Sequence, residues 1–203
     1  MNHNIAEVAT LQPDYLGFIF YEKSPRFFDG EIPKLPFGIK KVGVFVNAAI
    51  KEILEKIKEY NLDVIQLHGE ESPYFCKELK QECQVKCSRS LTIWKVFSIK
   101  DEFDFEKLEP FENVVDKFLF DTNGKEKGGN GITFDWNVLK NYTSQKPFIL
   151  SGGIGLEEIE NLKTILETDL PIHAIDVNSK FESKPGMKNV LILQGFQNLV
   201  GIK

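Results

Sequence analysis

The sequence predicts an α/β chain built on a parallel sheet and wound as a (β/α)8 barrel, with about seven of the strands encoded. Three observations carry this expectation. Short, nearly continuous apolar runs recur along the chain, each followed by an amphipathic or polar stretch. Strands that are apolar at successive positions are covered on both faces, which is the mark of parallel sheets joined by helical crossovers. The glycine-rich loops that suit an anion come late, after the last three strands, where a barrel commonly builds its phosphate site. An open doubly wound sheet would carry such a loop after its first strand.

The elements follow in order. Asn2 to Leu11 reads as a helix, with Ile5, Val8 and Ala9 on one face and Asn2 or Asn4 able to cap it. Pro13 ends it. Tyr15 to Phe20 is the first strand, and a loop with Ser24, Pro25 and Arg26 follows. Val42 to Val46 is a strand and Ala48 to Tyr60 an amphipathic helix. Asp63 to Leu67 is a strand and Ser72 to Glu82 a helix. Thr92 to Phe97 is a strand; a helical stretch leads to the next strand, Lys117 to Phe120. Phe134 to Asn141 is a short helix, Pro147 to Leu150 a strand, and Leu156 to Leu166 a helix. His173 to Val177 is the last strand and Met187 to Leu199 the last helix. The chain opens on a helix with no strand before it, so the expected barrel is N-terminally truncated. Its second and eighth strands would then be exposed edges.

Composition sets the outer limits. The 203 residues are 42% hydrophobic and 27% charged, as in one globular domain spanning residues 1–203. The net charge of −5 comes without a basic stripe, so nucleic acid is not an expected partner. No apolar run approaches the ~20 residues that cross a membrane. The first residues lack a basic segment followed by an apolar stretch, so a cytoplasmic chain is expected. Cys76, Cys83 and Cys87 are odd in number and lack CxxC spacing, which points to free thiols. His3, His68 and His173 form no metal-ligand pattern.

Chemistry concentrates where strands end. Phe118, Leu119 and Phe120 deliver a single carboxylate, Asp121, to a strand terminus, and Gly128, Gly129, Asn130 and Gly131 follow in a polar loop. Glycine lets backbone N–H groups approach an anion closely. Ser151, Gly152 and Gly153 lie between a strand and a helix, where a phosphate can meet N–H groups and the helix dipole. A tight turn is the plain alternative, but Asn178 and Ser179 repeat the pattern one strand later. Asp121 and Asp176 both stand at strand C-termini, where barrel enzymes keep acid–base groups; a helix cap or an ion pair is the plain reading. Arg26 suits a carboxylate clamp, although in isolation it reads as a solvated loop charge. His68 reads as a structural hydrogen-bonder, Gln66 as pointing into the barrel, Cys76 and Cys83 as small hydrophobes, and Trp94 as core.

Several stretches, in this order, resemble the phosphoribosylanthranilate isomerase family. They are PDYLGFIFYEKSPRFF, KVGVFVN, DVIQLHGEES, FLFDTNGKEKGGNGITFDW, PFILSGGIGLEEI and IDVNSKFESKPGMK, which together span residues 13 to 188. The resemblance implies a (β/α)8 barrel and an Amadori rearrangement of N-(5′-phosphoribosyl)anthranilate in tryptophan biosynthesis. It implies no cofactor, a small phosphorylated substrate, and a monomer or homodimer. By this resemblance Asp121 is the general acid and Arg26 binds the anthranilate carboxylate. Gly128 to Gly131, Ser151 to Gly153 and Asn178 to Ser179 are phosphate loops, and Asp176 lines the site.

The family's general base is a cysteine at the end of the first strand. This sequence begins at what resembles the methionine just after it, and none of Cys76, Cys83 and Cys87 matches that position. Weak or absent turnover is therefore expected of the chain as it stands. The alternatives are another phosphate-binding barrel enzyme of amino-acid biosynthesis and a non-catalytic binder of phosphorylated metabolites.

Overall fold

The computed structural model describes residues 2–87, 91–100, 102–122 and 135–201, with the side chains of 87 and 122 excepted. Seven parallel strands pair in strictly sequential order. They are β1 (Tyr15–Ile19), β2 (Lys40–Phe45), β3 (Val64–Leu67), β4 (Thr92–Ile99), β5 (Lys117–Thr122), β6 (Phe148–Leu150) and β7 (Ile172–Ile175). The order never reverses, unlike that of a doubly wound sheet. The sheet curls: the Tyr15 hydroxyl of β1 lies 2.9 Å from His173 Nε2 of β7. The expected barrel of about seven strands is thus the architecture found, with β1 and β7 as its edges.

The double apolar coverage of each strand resolves into two cores. Inside the curl, Val42, Val44, Val64, Trp94, Val96, Leu119 and Ile149 pack together. Tyr15 meets the Trp94 ring edge-on at 4.9 Å. Gln66 is two residues from Val64 and shares its face, as the alternation of a strand requires. The alternate positions, among them Phe18, Phe45, Ile65, Ile93, Phe118, Phe120 and Phe148, face outward under the helices and are almost entirely buried.

The helices follow their sequence signals with shifted ends. α1 is only Ile5–Ala9, and α2 (Ile50–Tyr60) buries Ile53, Leu54 and Ile57. Asn61 stops α2 in the left-handed region at φ 50°, and its N–H bonds Ile57 O. α3 runs Pro73–Cys87, five residues past the expected end, and holds the buried Cys76 and Cys83. The segments Phe105–Phe111 and Trp136–Asn141 are 3₁₀ turns rather than α-helices. α4 is Ile159–Leu166, led in by a 3₁₀ turn.

The last expected element differs too. The last helix, α5, begins at Val190 rather than Met187 and ends at Val200. Residues before it form an antiparallel hairpin, β8 (Glu182–Lys184) and β9 (Met187–Lys188), turning at Gly186 with φ 81°. Asn189 separates the two elements, because its side chain accepts the Ile192 N–H and caps α5.

The two sheet edges are drawn together at the C-terminal end of the strands as well. Phe20 N–H donates to Val44 O, so the intervening Ile19 faces the other edge, where its carbonyl takes the Phe28 N–H at 2.8 Å. Residues 2–4 bridge from there to the hairpin. Asn2 bonds Phe27 O through its side chain and Gly186 O through its backbone. The buried Asn4 side chain donates to Lys188 O at 2.8 Å and accepts Lys188 N–H at 3.0 Å.

Replacing Asn4 with alanine leaves both Lys188 backbone groups without those partners in a half-buried setting. The cost should be about 1–3 kcal/mol by urea titration, with earlier proteolytic cleavage before α1. An unchanged midpoint would show that this bridge does not hold the edges.

Candidate active site

Every functional side chain expected from the sequence and described here stands at the C-terminal end of the strands or in a loop that follows one. Asp121 is the fifth residue of β5 and Ser151 the first after β6; Asp176 follows β7 directly, and His68 follows β3. Backbone bonds continue the ladder past the strand ends: Ser151 N–H reaches Phe120 O and Asp176 N–H reaches Leu150 O, at 2.9 and 2.8 Å. The loops that begin at Ser151 and Asp176 are therefore each fixed at their first residue to the strand before.

Asp121 is buried, and His68 Nε2 lies 3.3 Å from its Oδ2. Gln66 Nε2 sits 3.4 Å from His68 Nδ1. The imidazole thus stands between the Gln66 amide and the Asp121 carboxylate. His68, which reads from sequence as a structural hydrogen-bonder, is thus a neighbour of the expected acid.

The loop that carries His68 is clamped from below. Glu71 accepts Asn47 N–H at 2.8 Å and Gly69 N–H at 2.9 Å. Lys95 Nζ lies 3.2 Å from Glu71 and donates to Gly69 O at 2.8 Å. Both side chains are almost wholly buried. Gly69 admits no side chain: a Cβ there would stand 2.7 Å from Asn47 N.

Asp176 is half-buried beside the turn that follows β6. The Ser151 hydroxyl donates to its Oδ2 at 2.9 Å. Burial pushes its carboxyl above the usual range. The Ser151 hydrogen bond works against this, the Asp121 charge adds to it, and Lys188 and His68 oppose it. Asp121, Asp176, His68 and Lys188 therefore share one electrostatic environment.

The anion loops are partly visible. Ser151 to Gly153 makes a turn in which Gly152 and Gly153 take φ 91° and 68°, the region that favours glycine. Ser151 itself is turned to Asp176, so backbone N–H groups are what this turn offers a phosphate. Asn178 and Ser179 open a short 3₁₀ turn, and Lys180 of that turn pairs with Glu157 beyond Gly155. Gly128, Gly129, Asn130 and Gly131 lie outside the described residues.

Arg26 is not a solvated loop charge. Its Nε and Nη2 both lie 2.8 Å from Glu182 Oε2. Glu182 Oε1 takes Lys188 Nζ at 3.0 Å, and Lys188 also donates to Asn178 O at 2.9 Å. Burial alone would raise Glu182, but the Arg26 hydrogen bond and the Lys188 charge outweigh it and hold the carboxyl below its ordinary value. Neither Glu182 nor Lys188 stands out in the sequence as a site residue; Lys188 falls where the last helix is expected, and Glu182 in the loop before it.

The chain as a whole matches a known family. The N-(5′-phosphoribosyl)anthranilate isomerase family model covers residues 2–198. The chain belongs to that family. A relative of that name from Parabacteroides distasonis is 42% identical over 199 residues, 95% of this chain and 86% of the relative. One from Phocaeicola vulgatus is 37% identical over 195 residues, 96% of this chain and 91% of the relative. The crystal structure of the isomerase from Thermotoga maritima superposes with TM-score 0.79 at 29% identity, over 97% of this chain and 92% of that one. Another solved member, in complex with reduced 1-(o-carboxyphenylamino)-1-deoxyribulose 5-phosphate, gives TM-score 0.75 at 26% identity over 97% and 92% of the two chains. Family membership makes the chain an isomerase of tryptophan biosynthesis on a (β/α)8 template.

The burial of Asp176 has a pH signature. The folded chain keeps this proton to higher pH than the unfolded chain, whose aspartates release theirs near ~3.9. Its contribution to stability falls as pH rises from there through the folded value and is level above it. Asp176→Asn abolishes that slope, so the variant's Tm relative to the native chain should climb across this window and then flatten. A Tm difference independent of pH would contradict the burial effect.

Proposed function

We propose that this chain rearranges N-(5′-phosphoribosyl)anthranilate to 1-(2-carboxyphenylamino)-1-deoxyribulose 5-phosphate. The observation that carries the assignment is Asp121, a buried carboxylate at a strand end with His68 at 3.3 Å and Asp176 in the same field. Asp121 protonates the furanose ring oxygen, the C1–O bond breaks, and a Schiff base forms at C1. Removal of the C2 proton then gives the enolamine, which tautomerises to the ketone and takes a proton at C1. Acid and base suffice for the sequence.

Arg26 binds the anthranilate carboxylate. The Ser151 to Gly153 and Asn178 to Ser179 turns bind the phosphate, together with Gly128 to Gly131. Asp176 lines the space between. The solved relative crystallised with a reduced carboxyphenylamino-deoxyribulose phosphate supports a ligand with a carboxylate at one end and a phosphate at the other. The reaction belongs in the cytoplasm, and the chain works as a monomer or homodimer; one solved relative is described as dimeric.

The described cysteines do not supply the base. Cys76 and Cys83 are buried in α3, and burial pushes the Cys76 thiol up to about 11, where it stays protonated at neutral pH. By the family resemblance the base is a cysteine on a strand ahead of α1. Fluorescence-monitored turnover tests both groups. In a form of the protein that carries that strand, replacing its cysteine should slow turnover by ~10²–10⁴-fold, and Asp121→Asn should lose a comparable factor. Equal rates with and without the cysteine would sink the base assignment; an active Asp121→Asn variant would sink the acid.

A further inference from the structure

We infer that Glu182 is a positioning residue for the substrate carboxylate, acting through Arg26. The inference rests on the reading of Arg26 given above and deepens it. Arg26 stands in the loop after β1 and Glu182 in the hairpin after β7, at the two edges of the sheet, 156 residues apart in sequence. Both side chains are largely buried, with relative exposures of 13% and 4%.

The geometry divides the guanidinium into two edges. Nε and Nη2 both go to Glu182 Oε2. A guanidinium has a second two-donor edge, through Nη1 and Nη2, which matches a carboxylate in bidentate fashion. Holding the first edge fixes the plane and direction of the second. An arginine on a loop otherwise loses rotamer freedom when it binds; here the contact with Glu182 already restricts it.

Glu182 is itself anchored. Its other oxygen, Oε1, accepts Lys188 Nζ at 3.0 Å and Gly186 N–H at 3.1 Å. Lys188 donates in turn to the carbonyl and the side-chain oxygen of Asn178, in the turn assigned to phosphate. One hydrogen-bonded chain, Arg26–Glu182–Lys188–Asn178, thus runs from the carboxylate end of the proposed site to the phosphate end. The anchor matters to the argument: a Glu182 free to rotate could not orient anything.

The test compares two probes on the full chain by isothermal titration calorimetry. One is reduced 1-(o-carboxyphenylamino)-1-deoxyribulose 5-phosphate; the other is the same molecule without the carboxylate. The native chain should prefer the first, and Arg26→Gln should erase that preference. Glu182→Gln keeps the shape and removes the charge, while Glu182→Ala removes the contact; each should cut the preference ratio, the alanine variant by at least about tenfold. A purely structural loss lowers both affinities together and leaves the ratio where it was, and that result would overturn the inference while leaving the Arg26 reading in place. A native chain without preference, or an Arg26→Gln variant that keeps it, overturns the Arg26 reading and the inference with it. If the alanine variant does not fold, the ratio in Glu182→Gln decides: an unchanged ratio there counts against the inference.

Discussion

A parallel strand at a sheet edge presents a row of N–H and C=O groups, and those groups must find water, a neighbour or a cover. In this chain β1 and β7 carry that burden, and the contacts that relieve it join the start of the described sequence to its end. Tyr15 meets His173 at the N-terminal end of the strands. At the opposite end, Phe28 covers the carbonyl of Ile19, residues 2–4 reach the β8–β9 hairpin, and Arg26 pairs with Glu182. The curl of the sheet depends on these links, and the curl is what brings Asp121 and Asp176 into one field.

The inner and outer cores divide the work. The outer one, rich in phenylalanine, fastens the sheet to its helices. The inner one is small, mostly valine with one tryptophan, because the space inside a tightly curled sheet leaves little room. Above this plug the alternation that sends Val64 and Leu119 inward sends Gln66 and Asp121 inward one pleat later. The polar layer of the site is thus a continuation of the apolar layer below it, and the rigidity of the second is inherited by the first.

Much of this was legible in the residues. Strands apolar on both faces announce themselves, and a lone acid at the end of such a run, as in FLFD, can hardly be anything but a site group or a cap. Asp121 and Asp176 stand at strand ends, as that pattern leads one to expect. Glu182 and Lys188 were not legible in this way. Their role exists only because two loops separated by more than 150 residues meet, and no local pattern encodes that meeting. The hairpin around them was hidden because Met187 continues the apolar rhythm of α5, and only the cap by Asn189 marks the true start. The pairing of His68 with Asp121 was not legible for a related reason: a single histidine carries no information about which carboxylate faces it. The helix ends shifted by a few residues, as they do where fraying and caps decide the boundary.

The buried Lys95–Glu71 pair has a consequence that reaches beyond its geometry. Two charges withdrawn from water contribute little net stability at room temperature, because desolvation offsets their attraction. That desolvation penalty falls on warming, while apolar burial gains no further strength per unit area. The turn that presents His68 to Asp121 is held by the kind of bond that heat weakens least. On warming, this corner of the molecule should therefore keep its order while the 3₁₀ segments and α1, which lean on apolar packing, loosen around it.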